Sequence, residues 1–270
     1  MNWRAVRAIA IKDLTVLRHS KAVLIPLIVV PAVILVLLPL LASFAPALGS
    51  LPGASDLGTM LEALPEAMEA RLAPYDDDQR LVVLLLAYLF APMFLILPLM
   101  VASVIAADTF AGERERRTLE ALIYTPTSDT ELLLGKLLAG FIPAVAVAWG
   151  GFVVYALVAN VAAWPTMGQV FFPNAMWVVL ALFVAPGVAL LGLGATVIVS
   201  ARVSTFQEAY QVGAVVVLPL VVLVVGQAAG VVVLSTTFVV IMGVVVWGLA
   251  ALTLRYGARS FRRGELMARG

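Results

Sequence analysis

The chain reads as an all-α polytopic membrane protein, and two observations carry that reading. Of its 270 residues 63% are hydrophobic and only 12% charged, with a mean hydropathy of +1.08, which leaves too little polar surface for a soluble globule of this size. The charged residues are also segregated, leaving long apolar runs between short polar stretches.

About 20 apolar residues at 1.5 Å rise cross a hydrocarbon layer about 30 Å thick. Six spans fit, at 22–44, 81–106, 132–161, 175–200, 211–230 and 236–254. The last two are separated only by a weak turn containing Ser235, Thr236 and Thr237. They are counted as two because basic residues flank the pair on both sides, which requires an even number of crossings. The first apolar run is too long for a cleavable signal and is expected to stay as an anchor.

Basic residues accumulate in cytoplasmic loops. On the six-span reading one side holds Arg4, Arg7, Lys12, Arg18, Lys21, Arg114, Arg116, Arg117, Lys136, Arg202, Arg255, Arg259, Arg262, Arg263 and Arg269, which is 15 of the 17 lysines and arginines. Only Arg71 and Arg80 fall outside, so both termini are expected to be cytoplasmic, with residues 255–270 as a basic tail.

Residues 1–21 place Trp3, Val6, Ala10, Leu14 and Leu17 on one helical face, with Arg4, Arg7, Lys12, Arg18 and Lys21 around it. An interfacial helix on the inner leaflet, in contact with membrane lipids, and a simple basic flank that fixes topology both account for this pattern. His19, the one histidine, is read as a surface residue. The outer loop, 45–80, is acidic, and Leu57, Met60, Leu61, Leu64, Met68 and Leu72 recur at helical spacing, interrupted at Pro65. Asp76, Asp77 and Asp78 read as a solvated turn and are assigned no metal. The second outer loop, 164–174, is short, aromatic and bounded by prolines, as interfacial anchors are.

The densely charged interior segment, 107–131, is where a partner is expected. Glu113 and Arg117, and Arg116 and Glu120, stand four apart, and Leu119, Leu122 and Ile123 form an apolar stripe, so residues 112–124 predict a short, exposed amphipathic helix that stops at Pro126. Ser128 with Glu131 predicts a capping box opening the third span. A docking helix and a solvated connector fit this spacing equally.

The run GERERRTLEALIYTPTSDTELLLGKLLAG resembles the signature segment of ABC transporter permeases of the ABC-two exporter superfamily. Gly112, Glu113, Glu115, Arg116, Thr118, Leu119, Glu120, Thr125, Pro126, Gly135 and Lys136 match it, while Arg117 stands where many relatives have glycine. The basic start, the six spans and Gln207, Glu208 and Ala209 extend the likeness over the whole chain. The very short link between the fifth and sixth spans leaves little room for the outer re-entrant helices of some relatives.

The resemblance implies a type V exporter fold in a prokaryotic inner membrane. Two permease chains, identical or paralogous, would pair there, and two separate ATPase subunits would dock on a coupling helix formed by Gly112, Glu113, Glu115, Arg116, Thr118, Leu119, Glu120, Leu122 and Ile123. ATP and magnesium would be held by those ATPases. The chain itself has no G-x-x-x-x-G-K-[ST] phosphate loop, no catalytic residue is assigned, and no nucleic-acid partner follows from its composition.

Pro26, Pro31, Pro39, Pro92, Pro98, Pro143, Pro186 and Pro219 fall within spans, where each removes a helix hydrogen bond. Gly226 and Gly230 form G-x-x-x-G, which fits either a dimer contact or internal packing. The span interiors read as free of charge, whereas an ion-coupled carrier buries an ionisable group at a cost of about 2.5 kcal/mol or more. An ion-coupled carrier and a passive channel or scaffold are thus the rival readings, and an apolar or amphipathic cargo is favoured over a small ion. Tyr88, Ser103, Tyr155, Asn160, Thr196 and Gln227 are the polar side chains available to line a path. No H-E-x-x-H, no G-x-S-x-G and no aspartate pair lies within the spans, which argues against an intramembrane enzyme.

Overall fold

In a computed structural model, residues 1–48, 65–116, 127–203 and 205–260 are described, and everything below concerns them. They hold six helices long and apolar enough to cross a membrane: span 1 (Val23–Ser43), span 2 (Asp77–Glu115), span 3 (Asp129–Ala162), span 4 (Ala175–Ser200), span 5 (Phe206–Ala228) and span 6 (Thr236–Arg259). An amino-terminal helix, Trp3–Leu17, precedes them, and a short helix, Glu66–Leu72, follows Pro65 in the acidic loop between spans 1 and 2. The protein is a multi-pass α-helical membrane protein.

Spans 2 and 4 form the centre, with 72% and 61% of their apolar stretches buried, against 22%, 11% and 17% for spans 1, 5 and 6. The reason is legible in side-chain size. Gly192 of span 4 has no room for a Cβ, which would stand 2.7 Å from Leu99 and 3.0 Å from Ser103 Oγ of span 2. Gly194, on another face, meets Thr253 of span 6 in the same way, at 2.4 Å. Without a hydrophobic force between helices in lipid, such close approach is what holds spans together.

Span 2 differs most from expectation. It runs for 39 residues, or about 58 Å at 1.5 Å per residue, well beyond the thickness of a hydrocarbon layer of about 30 Å. At its start Asp76 and Gln79 close a complete capping box. At its other end the helix passes unbroken through Gly112 to Glu115, so the start of the charged segment belongs to span 2, and a separate helix does not begin at Gly112.

Four π-helical turns interrupt the described helices, at Val33–Leu37, Leu84–Leu89, Asp108–Gly112 and Leu180–Val184. Three of them end two or three residues ahead of a proline (Pro39, Pro92, Pro186). A proline ring collides with the carbonyl four residues earlier and donates nothing to it, and a wider turn relieves the collision. Carbonyls in two of these turns are then taken by aromatic donors from other spans. Tyr155 Oη donates to Leu86 O (2.7 Å) and Trp177 Nε1 to Ala87 O (2.7 Å), while Trp149 donates to Ala181 O (3.1 Å) and Trp247 to Phe183 O (2.9 Å).

At the acidic side Trp177 stacks on Tyr155 and meets Phe94 and Phe172 edge-on or tilted. Asn160 fastens the loop between spans 3 and 4, donating to Phe172 O and Ala156 O and accepting from the Phe171 and Phe172 N–H groups. Arg71 of the short helix Glu66–Leu72 donates to Leu234 O in the link between spans 5 and 6.

Candidate functional site

The remaining π-helical turn, Asp108–Gly112, has no proline behind it, and it marks the site. Single π turns within α-helices concentrate at functional positions. Its Thr109 carbonyl accepts a hydrogen bond of 2.7 Å from Lys136 Nζ, a lysine with 0% exposure two turns into span 3. The same ammonium donates to Glu113 Oε2 at 2.5 Å, lies 3.6 Å from Asp13 Oδ2, and sits 5.5 Å from the centre of the Phe110 ring. Lys12 completes the cluster, bonding Glu113 Oε1 and standing 3.0 Å from Asp13 Oδ1. Two cations thus face two anions where the amino-terminal helix, span 2 and span 3 meet.

The amino-terminal helix reaches this place because Gly135 is a glycine. A Cβ there would stand 2.8 Å from Ile9 and 3.0 Å from Val6 O. The helix is held at its start as well, where Glu131 accepts from the Asn2 N–H at 2.5 Å while also closing the capping box with Ser128 that the sequence predicts. Its buried face is Val6, Ile9, Ala10, Asp13 and Leu17, set against the ends of spans 2 and 3. Trp3, grouped with the apolar face on sequence, is 61% exposed, and Arg4, Arg7, Lys12 and Arg18 are exposed too.

Asp13 is buried, yet neither of its oxygens takes an aligned hydrogen bond. It is held by charge alone. Burial pushes its carboxyl above the usual carboxylate range, and the Glu113 charge adds to this, against the opposing pull of Lys136 and Lys12. At Lys12 partial burial works to lower the ammonium, but the bond to Glu113 and the charge of Asp13 outweigh it and raise it overall.

The next three residues reach three further places. Arg114 donates to Val203 O (3.1 Å) just past span 4, and the Glu115 carboxylate accepts from Phe206 N (2.9 Å) at the first turn of span 5. Arg116 folds back on Asp108 of its own helix at 3.1 and 3.2 Å, over Gly112, whose missing side chain leaves room for it. Three consecutive side chains, Glu113, Arg114 and Glu115, therefore tie the end of span 2 to the amino-terminal helix, span 3, the residues just past span 4 and span 5.

Set beside the sequence-derived residues, Glu115 and Arg116 are exposed, whereas Gly112 and Glu113 are buried and face the protein. Glu113 cannot belong to an exposed docking face, because its carboxylate is occupied by two lysines. Thr118, Leu119, Glu120, Leu122 and Ile123 lie outside the described residues. Lys136 corrects the reading of charge-free spans: it sits within the third span, where its neighbours Leu132, Leu133, Leu137 and Leu138 should have marked it as a lone cation in an apolar run. Asp13 and Asp108 were missed, and a carboxylate on the apolar face of an otherwise basic helix was the available signal.

Gly226 and Gly230 have a local geometry of their own. Gly230 is left-handed (φ 72°), its N–H bonds Gln227 O, and the Val231 N–H bonds Gly226 O, which is a Schellman ending for span 5. Of the polar residues offered for a path, Tyr155 and Asn160 are engaged as described above, while the hydroxyls of Ser103 and Thr196 and the amide of Gln227 are buried without a hydrogen-bond partner.

A family model described as ABC-2 family transporter protein matches residues 7–260. No curated protein and no solved structure gives a match.

Proposed function

The chain belongs to the ABC-2 family of transporter proteins, and from that premise we propose that it is the membrane-spanning permease subunit of an ATP-driven exporter. Its ATP and magnesium are held by separate ATPase subunits, two copies docking against the basic side, and a second permease chain completes the pathway. Both termini then lie in the cytoplasm of a prokaryotic cell, beneath its inner membrane, and the fold is of the type V exporter kind.

The observation that carries this reading is the clasp at Glu113–Arg116. Force delivered to the segment beyond Arg116 meets a helix end bonded to the amino-terminal helix and to spans 3, 4 and 5. A push there reaches most of the bundle, which is what alternating access driven from outside the membrane requires. A passive channel or scaffold has no need of such a junction.

The test is copurification of the tagged chain with a co-expressed candidate ABC ATPase subunit, followed by ATP hydrolysis in lipid nanodiscs. The expected result is a stable complex with vanadate-sensitive turnover. A chain that purifies alone, and whose transport continues without any ATPase, overturns the reading in favour of a carrier or channel.

A further inference from the structure

We propose that Lys136 is the positioning residue of a two-state contact: paired with Glu113 in the structure, it passes to Asp13 when the end of span 2 is displaced. The inference rests on the permease reading and specifies how movement of the coupling segment is handed on.

Three observations converge on it. Lys136 lies between two carboxylates on different helices and is shared unequally, at 2.5 Å from Glu113 and 3.6 Å from Asp13. The second carboxylate is ready to receive it, since both Asp13 oxygens are buried and without an aligned donor. The helix carrying Glu113 reaches the cluster through a π-helical turn that no proline imposes, and Lys136 holds a carbonyl of that turn, Thr109 O.

The physical case is one of discrete alternatives. A buried ammonium cannot be left unpaired, because removing its partner leaves an uncompensated charge in a low-dielectric interior. If the end of span 2 carries Glu113 away, the charge must be met by the next carboxylate in reach. Asp13 is that carboxylate. A one-residue π turn supplies the slack, since the helix past Asp108 can tighten or widen without unfolding. Lys12, half-exposed, hydrogen-bonded to Glu113 and ion-paired with Asp13, remains with Glu113 as Lys136 leaves it, so every charge keeps a partner in both states. Stability alone would be served as well by apolar side chains of similar volume. A neutral four-charge cluster in which Lys136 is hydrogen-bonded to one carboxylate and only ion-paired with the other is suited to switching between two pairings.

Asp13→Asn tests this, because it removes the second charged acceptor and leaves the observed Lys136–Glu113 pair in place. The chain has no cysteine, so spin labels attach only where introduced. Labels at Thr15→Cys on the amino-terminal helix and Leu252→Cys on span 6, both exposed, report their separation in the complex with the ATPase, in nanodiscs, with and without ATP and vanadate. The labelled wild type is expected to shift its distance distribution on trapping. Asp13→Asn is expected to copurify with the ATPase and keep the resting distribution, yet lose the shift. A full shift in Asp13→Asn overturns the proposal, because a merely structural Asp13 leaves nucleotide-driven movement intact. If Asp13→Asn fails to assemble, Glu113→Gln/Lys136→Met decides: it deletes the moving pair while keeping the cluster neutral, and a shift retained there overturns the proposal equally. Absence of any shift in the wild type, or of any ATPase complex, instead sinks the permease reading.

Discussion

Trp177 of span 4 donates its indole N–H across 2.7 Å to the carbonyl of Ala87, inside the π-helical turn Leu84–Leu89 of span 2. Both residues are buried, with 0% and 2% exposure, so no solvent replaces that bond. Tyr155 serves the neighbouring Leu86 carbonyl in the same way from span 3. The half of the bundle near the acidic loop is thus pinned by aromatic donors on carbonyls that the irregular helix leaves spare.

Tyr155→Phe removes one hydroxyl and little volume, leaving Leu86 O without this donor in an apolar surround. The expected loss is about 1–3 kcal/mol. Thermal unfolding in detergent checks it, and an unchanged midpoint refutes the pinning role.

Asn160→Ala releases the Phe171 and Phe172 N–H groups and the Phe172 carbonyl at once. Hydrogen exchange over residues 168–174 is expected to accelerate while exchange in the middle of span 3 stays slow. Each amide left buried and unpaired costs about 1–3 kcal/mol, so protection should fall by one order of magnitude or more.

Gly135→Leu places side-chain atoms where Ile9 and Val6 O already stand. Overpacking of this kind costs about 1–3 kcal/mol, and the cheapest relief is undocking of the amino-terminal helix. Trypsin, which cuts after Arg4, Arg7 and Lys12, should then cleave the variant faster than the wild type. Equal cleavage rates would show that the helix does not depend on this contact.

The pH dependence of that docking follows from Asp13. Its folded-state value is raised, chiefly by burial, so the docked state binds the proton more tightly than the undocked one. The contribution is therefore full below the ordinary carboxylate range and is lost as pH rises through the elevated folded value. Lys12 is also raised, and its contribution disappears only in the alkaline range, above the ordinary lysine value. Protection of residues 3–17 measured against pH should fall across the lower window in the wild type, and that fall should be absent in Asp13→Asn. A variant that titrates like the wild type would assign the effect to another group.

Orientation is checked with the same cysteine-free background. A membrane-impermeant maleimide applied to intact cells should label Asp78→Cys and spare Thr15→Cys. The opposite pattern would reverse the topology drawn from the basic residues.

Much of this protein is written locally. The six spans and the Ser128–Glu131 capping box follow from composition, apolar run length and short-range side-chain chemistry, because backbone groups in lipid must bond within their own helix. The family was legible as a resemblance carried by the run from Gly112–Glu113 to Gly135–Lys136, and the match over residues 7–260 shows it. What the spacing hid is that those two halves of one motif meet. Glu113 and Lys136 are 23 positions apart and share a hydrogen bond, while Asp13 and Lys12 arrive from more than 100 residues away. Local periodicity reports which face of a helix is apolar, and it is silent on which carboxylate a buried lysine will find across a helix interface. The continuation of span 2 to Glu115, the π turn held by Lys136 and the aromatic donors on spare carbonyls were decided only by tertiary packing, because each satisfies a polar group whose partner lies on another span.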